Sequence, residues 1–170
     1  MTAKKETLTA STSATPTRRA GETMCWLLKS EPDVFSWDML VAKGSDGEPW
    51  TGVRNFLARN NMRAMQIGDL AFFYHSNIGK EVVGICEVCA LSHPDPTDET
   101  GTWDCVDVRA VRGLPTPVTL VAAKHNRRLA KMPLVVSTRL SVQPVTSGEW
   151  AEVCRMAGID AKTLTDPRAT

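Results

Sequence analysis

The segment Trp50-Thr-Gly-Val-Arg-Asn55 holds the densest group of side chains suited to recognition. An indole offers a flat face to another ring, and a carboxamide such as that of Asn55 sets a donor beside an acceptor. The turn-rich stretch Ser45-Asp-Gly-Glu-Pro49 delivers this segment, which is read as opening a helix that runs to about Met65 and is closed by Gly68. Backbone N–H groups at a helix start have no intrahelical acceptor, so Thr51 and Gly52 are placed to offer theirs to a carbonyl or anionic oxygen. Ordinary roles fit the same residues. Trp50 can plug a core as Trp26, Trp37 and Trp150 do, and Asn55 can simply cap the helix.

Two further groups sit at strand ends. Lys29-Ser30-Glu31 closes the run Cys25-Trp-Leu-Leu before Pro32, where either a ligand contact or a structural ion pair suits Lys29 and Glu31. His75-Ser76-Asn77 follows the apolar run Leu70–Tyr74 and leads into Gly79. Turn chemistry accounts for Ser76 and Asn77 without a ligand, while His75 fits a pocket or a structural bond equally well. Cations suited to phosphate have two sources. Arg54, Arg59 and Arg63 lie along the expected second helix. Lys124, Arg127, Arg128 and Lys131 are spaced i, i+3, i+4, i+7, one face of a continuous helix and otherwise a solvated stripe. Cys86 and Cys89 form half of a zinc pattern, but on a strand such residues point apart and no second half follows. His93 and Cys105 could be recruited to complete it. The expectation is no metal and no cofactor, with packed, reduced thiols.

The elements that must position these groups can be read from pattern. A chain of 170 residues, 42% hydrophobic and 23% charged, suits one globular domain. No apolar run approaches the roughly 20 residues of a membrane span, and no signal-peptide core is visible. An intracellular location is expected, cytoplasmic in a bacterium and nuclear in a eukaryote. Net charge is +1, with four basic and two acidic residues in 1–23, so the remainder is slightly acidic and any polyanion must be held by a local patch. Residues 1–23 have no apolar period and are expected to be disordered, with a domain over 24–159 and a loose tail over 160–170. Strands are expected at 25–29, 70–74, 82–90, 106–111 and 140–144, the last ended by Pro144. Helices are expected after Ser36 up to Gly44, over 50–65, from about Thr119, and after the capping box Thr146-x-x-Glu149 up to Gly158. Strands and helices without strict alternation imply an α+β fold with a mixed, curved sheet and no internal repeat.

Five segments occur in an order that carries a family likeness: Trp26-Leu-Leu-Lys-Ser-Glu-Pro32, Trp50-Thr-Gly-Val-Arg-Asn55, Ala58-Arg-Asn-x-x-Arg63, Phe72-Phe-Tyr-His-Ser-Asn77 and Leu140-Ser-Val-Gln-Pro144. Over roughly residues 24–157 the chain resembles the EVE-domain family. The resemblance implies a PUA-like pseudo-barrel with helices at its rim, similar to the YTH readers of methylated adenosine. It also implies a non-catalytic reader of a modified base in DNA or RNA. On that reading Trp50, Thr51, Gly52, Asn55, Lys29, Ser30, Glu31, His75, Ser76 and Asn77 form the base pocket, with an aromatic face to stack on and polar groups for the base edge. The stretch Ser92–Trp103 is shorter than in many relatives, which bears on ligand choice if it forms part of the rim. No nucleophile elbow, phosphate loop or paired metal-ligand motif is present. Two alternatives stand beside the reader: an ASCH-like amidohydrolase of modified nucleosides using Lys29, Glu31 and Thr51, and a protein-interaction module with a vestigial pocket.

Overall fold

The computed structural model describes residues 15–164. In chain order the elements are β1 (Cys25–Ser30), α1 (Trp37–Ala42), β2 (Glu48–Pro49), α2 (Phe56–Ala64), β3 (Leu70–His75), β4 (Glu81–Pro94), β5 (Asp104–Thr119), α3 (Leu120–Lys124), α4 (Pro133–Val136), β6 (Val142–Val145) and α5 (Ser147–Ala157). The strands form one open sheet in the order β2-β5-β4-β3-β1-β6. Only the central pair β1–β3 is parallel; the other pairings are antiparallel. The expected α+β class with a mixed sheet is the one observed.

β1 over Cys25–Leu28 and β3 over Leu70–Tyr74 are apolar because both faces are covered there. Leu27, Leu70, Phe72 and Tyr74 point into one core with Trp150, Val153 and Cys154 of α5 and Ala123 of α3. Trp26, Leu28, Ala71 and Phe73 point into the other with Leu40 of α1, Ala58 and Met62 of α2, and Trp50. Trp37 lies flat against β4, where a Cβ on Gly84 would come within 2.6 Å of its ring carbons. Only glycine admits that contact.

Several boundaries differ from the expectations. Residues 50–55 remain a loop, and α2 begins one residue after Asn55, whose side chain accepts from the Ala58 N–H. Pro144 lies within β6 and does not end it; β6 is an edge strand bonded only to β1, where a missing N–H is tolerated. Residues 15–23, expected to belong to a structureless tail, lie against the domain. Arg18 forms a two-pronged ion pair with Asp69, a carboxylate that also accepts from the Met24 and Gln66 amides and the Trp26 indole. Ala161–Leu164 form a short 3-10 turn at the other end. The expected disorder of residues 1–14 and looseness of 165–170 fall outside the described residues. No helix among the described residues is long and apolar enough to cross a membrane.

Candidate functional site

At the C-terminal end of β1 a cavity of about 370 Å³ opens between three segments. Lys29 and Ser30 line it from the strand end, Val34 and Phe35 from the connection to α1, and residues 48–54 from the loop before α2, with Ser141 closing one side. Trp50 is 7% exposed, so it belongs to the core and to the cavity wall at once. Phe73 and Phe35 meet it edge-on, at 5.4 Å and 90° and at 6.2 Å and 85°, so neither covers a face of the indole by parallel stacking.

The loop is held by Asp95. Its carboxylate accepts from the Gly52 N–H at 2.8 Å, from Arg54 at 3.0 Å, and from both amide and hydroxyl of Thr97 at 2.7 Å. Burial by itself would raise the pKa of Asp95, but these donors together bring it down to about 2. The Gly52 amide, expected to be free for a ligand, is therefore engaged. Its φ of 84° lets the chain turn so that this N–H meets Asp95.

Of the ten expected pocket residues, Lys29, Ser30, Trp50, Thr51 and Gly52 converge on this cavity and five do not. Asn55 caps α2. His75 accepts from the Trp37 N–H at 3.1 Å, and burial lowers its pKa, which favours the neutral ring this bond needs. Glu31 is exposed and lines no part of the cavity, so Lys29, Glu31 and Thr51 do not assemble as a hydrolytic trio. The Ser30 hydroxyl is also engaged, donating to the Phe35 carbonyl at 2.6 Å. Ser76 and Asn77 line a second cavity of about 290 Å³ on the far side of Lys29, together with Tyr74, Lys80 and Lys124.

The expected phosphate-binding cations separate into two sets. Arg54 joins the cavity wall but is tied to Asp95 and Thr97. Arg59 donates to the Thr102 carbonyl and packs over Phe56, and Arg63 pairs with Asp104. The stripe of Lys124, Arg127, Arg128 and Lys131 is not one helical face. α3 ends at Lys124, and the Asn126 side chain accepts from the Arg128 N–H to start a separate 3-10 turn. Arg127 and Arg128 then border a depression around Glu152, whereas Lys124 faces the second cavity. Phe35, Glu48, Asp95, Lys80 and Ser141 were not anticipated. For Asp95 the signal was the Asp-x-Thr turn, whose carboxylate captures the amide two residues on.

One group could hold a metal among the described residues: the donor atoms of His93, Cys105 and Asp107 lie within 4.8 Å of one another. His93 Nε2 and Asp107 Oδ1 share a 2.7 Å hydrogen bond, which raises the pKa of His93. Burial, with Asp95, Asp107 and Asp104 nearby, pushes the Cys105 thiol up to about 11, so a metal would have to displace its proton. Cys86 lies elsewhere, donating to the Ala71 carbonyl.

A family model described as the EVE domain matches residues 24–156. The chain belongs to the EVE-domain family. Human thymocyte nuclear protein 1 is 32% identical over 157 residues, covering 74% of this chain and 70% of that one. The crystal structure of a protein from Agrobacterium tumefaciens is 60% identical, with a TM-score of 0.80 over 87% of this chain and 99% of the other. The human THYN1 protein, solved in complex with DNA containing 5-methylcytosine, superposes with a TM-score of 0.74 at 32% identity, over 79% and 98% of the two chains. The YTH domain of a Zygosaccharomyces rouxii protein shares the fold, with a TM-score of 0.51 at 13% identity over 88% and 96%.

Proposed function

We propose that this EVE domain is a non-catalytic reader that takes a modified nucleobase, extruded from a DNA strand, into the cavity beside Trp50. The observation that carries this is the cavity itself: about 370 Å³, walled by an indole without a parallel ring neighbour, with Lys29, Thr51 and Arg54 at its edge. Its volume falls within the ~300–1,000 Å³ range of small-ligand pockets. A flat base with a small apolar substituent suits an aromatic wall and a few fixed polar groups. The likeness to a human protein solved with 5-methylcytosine DNA makes that base the first ligand to test. Nothing in this reading needs a metal. The placement of Glu31 outside the cavity and the engagement of the Ser30 hydroxyl favour binding over hydrolysis.

The test is a titration of two single-stranded 12-mers that differ only in one cytosine, methylated at C5 or not. Tighter binding of the methylated strand without product formation is expected. Equal affinities, or release of a modified product, overturn the reading. Trp50→Leu, which keeps an apolar side chain in the wall but offers no π-face, should remove most of the ~1–3 kcal/mol that stacking of one base contributes.

A further inference from the structure

The second cavity carries a property that the first does not have. Lys29, Lys80 and Lys124 line it, with the polar side chains of Ser76, Asn77 and Thr138, and no acidic residue lines it. Glu81, next in sequence to Lys80, leans against Gly79 and is not part of the lining. Lys29 is half-buried, and burial lowers its pKa. Its ammonium donates to the Thr138 carbonyl at 2.9 Å and lies 6.0 Å from the centre of the Tyr74 ring. An ammonium has three N–H donors, so further donors remain. The ammonium groups of Lys80 and Lys124 have no acceptor among the described residues.

The backbone around this cavity is unusual as well. Asn77 and Lys80, at φ of 62° and 49°, are the non-glycine residues with positive φ among the described residues, and both line it. Asparagine takes that conformation readily; lysine does so at a cost of about 1 kcal/mol or more. The turn is secured in two places: the Ser76 N–H donates to Ser30 and the Leu120 N–H to the Lys80 carbonyl. The second bond ties the turn to the start of α3, the helix that brings Lys124 to the same opening.

We propose that this lysine cavity holds a backbone phosphate of the bound strand, next to the nucleotide whose base enters at Trp50. The proposal rests on the base-reading function above, because Lys29, at the end of β1, lines both cavities. It moves the phosphate track away from Arg59 and Arg63, which are engaged by Thr102 and Asp104. A phosphate between three ammonium groups neutralises charge that has no carboxylate partner among the described residues.

The experiment uses the full chain carrying Lys80→Ala and Lys124→Ala, both at exposed positions, with a thermal melt to confirm the fold. Affinities for the methylated and unmethylated 12-mers are measured between ~50 and ~200 mM salt, where each phosphate contact to a single strand contributes a slope of about 0.7. A slope reduced by about that amount is expected, with affinity falling several-fold and equally for both strands. Arg63→Ala, by contrast, should leave the slope as it was. An unchanged slope and affinity in the lysine variant overturns the proposal, and so does a loss confined to the methylated strand. If the unaltered protein binds both strands alike, the base-reading function fails, while the change in slope still decides the phosphate site.

Discussion

Trp50 and Trp150 are buried to nearly the same degree, 7% and 5% exposed, on opposite faces of one sheet, yet their surroundings differ. Trp150 lies stacked on Phe72, with ring centroids 3.9 Å apart and 18° between planes, on a face closed by α5. Trp50 meets Phe73 edge-on, and its face of the sheet ends in a cavity. Burial alone therefore does not separate a tryptophan closed into the core from one that also borders a cavity. The surroundings do: Trp150 is covered by a stacked ring, whereas Trp50 forms part of a cavity wall.

The sharpest way to break this comparison is to truncate both. Trp150→Ala and Trp50→Ala should each cost about 3–5 kcal/mol of stability, the usual range for a large buried aromatic. Only the Trp50 variant should also lose its preference for the methylated strand, read at a temperature where both variants are folded. A folded Trp50→Ala protein that keeps the preference would place base recognition elsewhere.

A smaller effect separates the faces by pH. His75 packs edge-on against Phe73 on the open face and accepts from Trp37, with its pKa lowered from 6.5 by burial. The unfolded chain then binds this proton more readily, so stability should fall as pH drops below about 6.5, down to the lowered folded pKa. His93, raised by Asp107, acts with the opposite sign: its contribution is present at low pH and lost as pH rises through its folded pKa. The informative measurement is thus the difference in denaturation midpoint between the unaltered protein and His75→Gln from pH 7 to pH 5. If the two pH profiles coincide, the Trp37–His75 bond does not set the protonation of this face.

The smallest effect concerns the arginines. Arg63 and Asp104 form an exposed ion pair, a type that contributes roughly 0.2–1 kcal/mol. Arg63→Ala should change stability by no more than that and leave strand affinity alone. A large loss of affinity would return Arg63 to the phosphate track.

Much of this was legible in the sequence. The continuous apolar runs at Cys25–Leu28 and Leu70–Tyr74 marked strands buried on both faces, and the Thr146–Glu149 capping box located α5 to the residue. The segment Trp50–Gly52 was identifiable from side-chain chemistry and the family motif. What the sequence could not reveal was which polar groups would already be engaged. The Gly52 amide on Asp95 and Arg63 on Asp104 are pairings between distant segments, which local spacing does not encode, whereas the Asn55 cap is a local contact that the sequence already offered. The lysine cavity is not legible in the sequence for the same reason: Lys29, Lys80 and Lys124 share no motif and are brought to one opening by the end of β1, the turn after β3 and the end of α3. The basic stripe failed as a stripe because Asn126 begins a new turn within it.

The position of β1 between β3 and β6 bears on how the chain acquires its structure. The first strand is completed on one side by residues 70–75 and on the other by residues 142–145, so its hydrogen bonds close loops of very different length. Long-range closure of this kind slows folding. During synthesis, β1 can pair with β3 well before β6 has left the ribosome, and for that interval it is an apolar edge with unpaired amides, a template for strand addition. The late arrival of β6 is the step that seals it, and the proline at position 144 of that strand leaves one fewer donor on the finished sheet edge.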